Sequence, residues 1–262
     1  MSPSAIGLAI LLSTPGAGDA TPNPRSPALQ DPAPAPVYPQ WTGALTLGAS
    51  WTDGNTESAN INGAFNAQRR AEKDRWTFDL FGNYGETTDR VTDVKDVTSN
   101  NSGGGVKYDY FCSKKVYLLG NGSGKVDHVA TLDLRYVLGA GVGCQWWETE
   151  KVKWGTEVGL SYVDEDFEDD AGDADFVAAR LASNLTYQLS KTSAFEQVAE
   201  LLPSLEDSED VIAKFDNRLK LNITGKWIAQ IQYVLDFDGS TPNGVEETDH
   251  RVVLSLGWSL GS

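Results

Sequence analysis

From Trp41 onward the chain switches between apolar and polar residues at nearly every step, and this two-residue period constrains the fold more than any other feature of the sequence. In residues 41–51 the odd positions carry Trp41, Leu45, Leu47, Ala49 and Trp51, and the even ones Thr42, Thr46, Gly48 and Ser50. Successive side chains of an extended strand point to opposite faces, so this segment predicts a strand with one apolar and one polar side. Asp53, Gly54 and Asn55 supply a turn. The return strand sets Ala59, Ile61, Gly63, Phe65 and Ala67 against Ser58, Asn60, Asn62, Asn66, Gln68 and Arg70. Trp76, Phe78, Leu80 and Tyr84 then oppose Arg75, Asp79 and Asn83, and Val106, Tyr108 and Tyr110 oppose Gly105, Lys107 and Asp109. Leu132, Leu134, Tyr136, Leu138, Val142 and Trp146 stand against Asp133, Arg135, Gly139, Gly141 and Gln145, and Trp154, Val158, Leu160 and Tyr162 against Lys153, Glu157 and Ser161. Residues 115–126 alternate least clearly. Segments 176–189, 194–202, 211–224, 227–237 and 249–260 bring the expected total to about twelve strands.

Alternation alone does not say whether the apolar face meets lipid or a core, so a soluble barrel or sandwich competes with a membrane barrel. The chain has no apolar run of helix-spanning length, so any membrane residence after Trp41 requires a closed sheet. A mean hydropathy of -0.33 is compatible with that, because a barrel strand shows lipid only every second residue. Two features favour lipid. The polar face combines Gly, Ser, Thr and Asn with charges of both signs, as a packed or wet lumen does. The large aromatics Trp41, Trp51, Trp76, Tyr110, Trp146, Trp154, Tyr162, Trp227 and Trp258 gather near strand ends, where interfacial girdles lie. Connections alternate in the same sense: 71–73, 112–114, 148–150, 190–192 and 225–226 are short, whereas 164–175, 204–210 and 238–247 are longer. The expectation is an all-β, transmembrane, antiparallel up-and-down barrel over residues 41–262. Residues 1–20, with the apolar stretch 5–12, read as a signal peptide, and the proline-crowded residues 21–40 as a linker.

On this reading Lys107, Asp109, Asp133, Arg135, Lys153, Glu157, Arg180, Asp216, Arg218 and Lys220 line the lumen. They support two functions: a narrow water-filled path that selects small solutes by charge, or a filled lumen in a barrel that serves envelope integrity under stress. The expected location is the cell outer membrane. The expected partners are outer-membrane lipid, lipopolysaccharide and, during biogenesis, the barrel-insertion machinery.

Chemistry beyond this is sparse. A net charge of -16 repels phosphates and argues against nucleic acid. Cys112, Cys144, His128 and His250 do not assemble a structural zinc site, and free thiols are expected. The acidic stretch 164–175 offers oxygen ligands without the spacing of a calcium loop, so no metal and no cofactor are assigned. Gly103, Gly104 and Gly105 lie in a strand with no helix behind them and suit bending better than phosphate binding. A rim-located lipid hydrolase would need His250 beside a serine, and no nucleophile-elbow motif accompanies it, so no enzyme activity is expected.

Certain residues resemble a known family. Trp41 to Gly48, Gly54 to Ser58, Lys107 to Phe111 and Gly139 to Gly143 resemble the YdiY-like, salt-induced outer-membrane protein family, domain-of-unknown-function family 481. The resemblance implies an outer-membrane barrel and supplies no catalytic residues.

Overall fold

The computed structural model describes residues 40–53, 56–168, 174–207, 210–239 and 247–261; the expected signal peptide and all but the last residue of the linker lie outside them. The described elements are strands: β1 (Gln40–Thr52), β2 (Thr56–Arg70), β3 (Asp74–Asp89), β4 (Val94–Phe111), β5 (Val116–Asp127), β6 (Leu132–Glu148), β7 (Val152–Phe167), β8 (Ala174–Gln188), β9 (Ser193–Pro203), β10 (Val211–Thr224), β11 (Trp227–Asp238) and β12 (Thr248–Leu260). Each pairs antiparallel with the next, and β12 returns to β1, closing a barrel. The fold is all-β, an up-and-down barrel, as the alternation predicts. Closure removes the unpaired edges that an open sheet would leave.

The closing seam is the shortest ladder. It runs only from Gly43↔Leu260 to Leu47↔Leu256, whereas β1 and β2 pair from Gln40↔Arg70 to Thr52↔Ser58. One end of the barrel, the turn end, holds both strand termini and the connections 71–73, 112–115, 149–151, 189–192 and 225–226. The other, the loop end, holds the connections that follow β1, β3, β5, β7, β9 and β11.

At the loop end the strands run further than the sequence pattern suggests. β3 continues past Tyr84 to Asp89 and β4 begins at Val94, well before Gly105. Beyond the lipid band both faces meet water, so pairing persists where alternation no longer has a cause. The turn between them is fixed by Asp89, whose carboxylate accepts the backbone N–H groups of Val91 at 2.8 Å and Thr92 at 3.0 Å. These bonds hold its pKa below the usual carboxylate range. The acidic stretch 164–175 is likewise corrected: β7 carries Asp164, Glu165 and Asp166, and Asp175 sits in β8 directly opposite Asp164.

Burial separates the two faces. Apart from Ala67, every buried side chain lies on the inward-pointing positions of its strand, from Ala44 and Thr46 in β1 to Ser255 in β12. Outward residues are open: Leu47 is 63% exposed, Leu80 58% and Leu254 65%. A continuous apolar exterior of this extent is unsuited to water and suited to hydrocarbon. Trp41, Trp76, Tyr110, Trp146, Trp154, Trp227 and Trp258 ring its turn end, while Trp51 and Tyr162, with Tyr84 and Tyr136, ring its loop end. Trp227 packs edge-on against Trp258 with ring centroids 5.3 Å apart, and Trp147 stacks on Trp154 at 5.1 Å. Trp41 and Trp51 lie ten residues apart, about 34 Å along a strand. At a tilt near 40–45° this projects to about 25 Å, the height of a barrel's lipid band.

The two cysteines are free. Cys112 donates its backbone N–H to Val116, which pairs across the next ladder with Cys144. Two strand spacings, about 9.6 Å, separate the cysteines, beyond disulfide reach.

Candidate functional site: an ion-pair network in the lumen

The inward face of β4 to β9 carries a connected set of charges. Glu157 on β7 has a side chain of 0% exposure and three partners. Lys107 from β4 donates to one carboxylate oxygen, which also accepts the Tyr117 hydroxyl of β5 at 2.8 Å; Arg180 from β8 donates to the other at 2.8 Å. Arg180 continues to Glu200 on β9 at 2.7 Å. Toward the turn end, Arg75 donates to Asp109 at 2.6 Å and to Gln145 at 2.9 Å, and its guanidinium lies 4.9 Å from the centre of the Tyr117 ring. Nearer the loop end, Arg135 on β6 bonds both Glu165 on β7 and Asp238 on β11, so this pair crosses the interior instead of following the wall.

The facing wall repeats the principle. Arg218 pairs with Asp216 at 2.5 Å, Gln232 donates to the same carboxylate at 3.0 Å, and Lys220 pairs with Glu196 at 2.7 Å. Lys214 on β10 reaches over the Phe81 ring of β3, 5.7 Å from its centre. Cations and anions alternate throughout, so the lining neutralises itself and presents no field of one sign.

Apolar side chains also point into the interior, beside the small polar and charged residues expected there. Val137, Val163, Phe176, Ala178 and Leu202 form one inward cluster, and Phe111, Tyr117 and Leu119 another. β5 alternates poorly for this reason: Tyr117 and Leu119 point inward while Gly120, Gly122 and Gly124 point outward. Gly143 faces Tyr117 across the β5–β6 ladder, and any Cβ there would overlap the tyrosine ring. Gly143→Val is therefore expected to expel Tyr117 from Glu157 and cost about 1–3 kcal/mol in urea unfolding of the lipid-refolded protein. Gly120→Ala, whose new Cβ would meet only a carbonyl oxygen at 3.9 Å, serves as the control with little change.

Of the residues expected in the lumen, Lys107, Asp109, Arg135, Glu157, Arg180, Asp216, Arg218 and Lys220 lie on its inward face. Asp133 does not. It is the extra residue of a β-bulge, because Leu132 pairs with Phe167 and Leu134 with Asp166, and it is exposed at the loop end. Lys153, one step into β7 and opposite Thr186, keeps the inward parity of Glu157 but is exposed at the turn-end rim. Arg75, Tyr117, Glu165, Glu196, Glu200 and Asp238 belong to the network but were not selected from the sequence; strand parity alone marks most of them. His250 accepts or donates at Nδ1 to the Tyr233 hydroxyl, 3.0 Å away on the outer face, where a hydrolase would need a serine.

The profile of the proteins of unknown function designated DUF481 matches residues 45–260, from the middle of β1 to the last residue of β12. The chain belongs to this family. The motifs that suggested the resemblance sit within the DUF481 barrel on β1, β2, β4 and β6 and in the connection between β1 and β2. Among solved structures, the NanC porin superposes with a TM-score of 0.50 at 11% identity, covering 84% of this chain and 99% of the porin. An outer-membrane channel from Pseudomonas putida F1 gives 0.47 at 12% identity, covering 88% and 99%. The translocator domain of the autotransporter NalP from Neisseria meningitidis gives 0.44 at 12%, covering 86% and 90%. The likeness to NanC is one of fold. No curated protein sequence matches the DUF481 chain.

Proposed function

We propose that this chain is an integral protein of the cell outer membrane whose lumen is sealed in the resting state by its own side chains, and that it serves envelope integrity or salt-stress adaptation instead of acting as an open diffusion pore. The observation that carries this reading is the bonding of Glu157 to Lys107, Tyr117 and Arg180 at the middle of the wall, with Arg135 tied across to Asp238 above it. A pore that conducts freely needs a continuous column of water, and these contacts narrow the cross-section at two levels. The apolar exterior and its two aromatic rings support residence in lipid.

The second reading is a narrow small-solute channel. It is favoured by the partial exposure that Lys214 and Lys220 keep on the β10 wall. Planar-bilayer recording of the folded protein separates the two. Silence from protein shown to be inserted is the expected result. Reproducible conductance steps whose ion selectivity shifts on neutralising Arg135 or Glu157 would discard the sealed barrel and establish the channel.

A further inference from the structure

At the loop end, three side chains outside the lumen network converge. His128 and Asp133 flank the β5–β6 turn, and Glu168 follows the last residue of β7. One ligand atom from each lies within 4.8 Å of the other two, and all three residues are exposed. Small side-chain adjustments bring such a set to the separations that bonds of about 2.0–2.2 Å to a common ion require.

The backbone holds these groups in place. His128 donates its backbone N–H to Asn100 at 3.0 Å, and Glu168 donates its own to Thr131 at 2.8 Å, pinning the two loops to each other and to β4. Beneath them Leu132 and Phe167 pair across the ladder, each 2% exposed. The bulge at Asp133 matters most. By inserting one residue into β6 it takes the Asp133 carboxylate out of the inward row and leaves it at the rim beside His128 and Glu168.

The interior carboxylates of the network are committed to arginine or lysine partners, whereas no described ion pair uses Asp133 or Glu168. The donor set also discriminates among metals. Calcium and magnesium take oxygen ligands, whereas one imidazole nitrogen with two carboxylates suits a borderline ion whose remaining positions are filled by water.

We propose that His128, Asp133 and Glu168 form a surface site for a divalent transition-metal ion of the zinc class. With the loop end outward, as the proposed outer-membrane reading has it, the site is open to the cell exterior.

The test is calorimetric titration of the full chain, folded in detergent, with zinc chloride and separately with calcium chloride. One zinc ion per chain is expected. His128→Ala should weaken zinc binding by more than about tenfold, the lower end of what losing a mere supporting group costs a metal site. Asp133→Asn should weaken it as well, and His250→Ala should leave it unchanged. The circular dichroism of the barrel verifies that each variant is folded, and the outcome does not depend on whether the lumen conducts. Zinc binding that is absent, or equal in the wild type and His128→Ala, overturns the site. Calcium binding as tight as zinc and indifferent to His128 overturns it too, reducing the cluster to a patch of carboxylates.

Discussion

Glu157→Ala is expected to lower the unfolding free energy of the lipid-refolded barrel by about 3–5 kcal/mol, the cost of breaking a buried ion pair by removing one partner. The size follows from what remains. With a side chain of 0% exposure, Glu157 accepts from Lys107, Arg180 and the Tyr117 hydroxyl together. Its deletion leaves Arg180 with Glu200 alone and Lys107 with Asp109 alone, at 3.5 Å and already paired with Arg75, so three cations share two carboxylates where water is scarce. Glu157→Gln keeps an acceptor but removes the charge, so an intermediate loss is expected. The triple replacement Glu157→Leu, Lys107→Met and Arg180→Met removes the charges together and should be far better tolerated than Glu157→Ala, because well-packed apolar groups often replace a buried ion pair at little cost. Urea unfolding followed by tryptophan fluorescence measures all three. A loss below about 1 kcal/mol for Glu157→Ala would mean that water reaches this carboxylate, and the sealed lumen would fall with it.

This experiment also marks how far the sequence could be read. That Glu157 and Arg180 share one face follows from parity, since each lies on the polar rows of neighbouring strands. That Arg135 meets Asp238, 103 residues away, does not follow. Their encounter depends on the curvature and stagger of the closed barrel, which no local pattern encodes. Asp133 shows a different failure. Parity assigns it to the row of Arg135, but one bulged residue reverses the assignment at the strand end, and the bulge leaves no mark in the alternation that precedes it. Tyr117 and Leu119 fail for a third reason. A lumen filled by side chains needs apolar volume inside, so the rule that apolar residues face lipid weakens where Gly143 and Gly141 open space across the ladder. Chain order and strand identity were legible because the contrast between lipid and lumen repeats along each strand; interior partnerships were not, because they form between strands.

The reading of the exterior as lipid-facing makes the other large prediction. Leu80 points outward midway between Trp76 and Tyr84 on β3 and is 58% exposed. On a water-facing wall, replacing so open a leucine by arginine would change stability by no more than about 0.5 kcal/mol. At the midplane of a bilayer the same Leu80→Arg exchange should cost about 2–4 kcal/mol, because the guanidinium must be carried into hydrocarbon or drag water and headgroups toward it. Val91, 89% exposed in the β3–β4 turn beyond the aromatic ring, provides the internal reference. Val91→Arg should be nearly neutral in either environment, so the difference between the two variants in lipid-refolded protein isolates the effect of depth. Equal and small effects would return the apolar face to a soluble or self-associated setting. A Leu80→Arg cost in the expected range, with Val91→Arg silent, would locate the hydrocarbon layer between the two aromatic rings and fix the height of the Glu157 network within it.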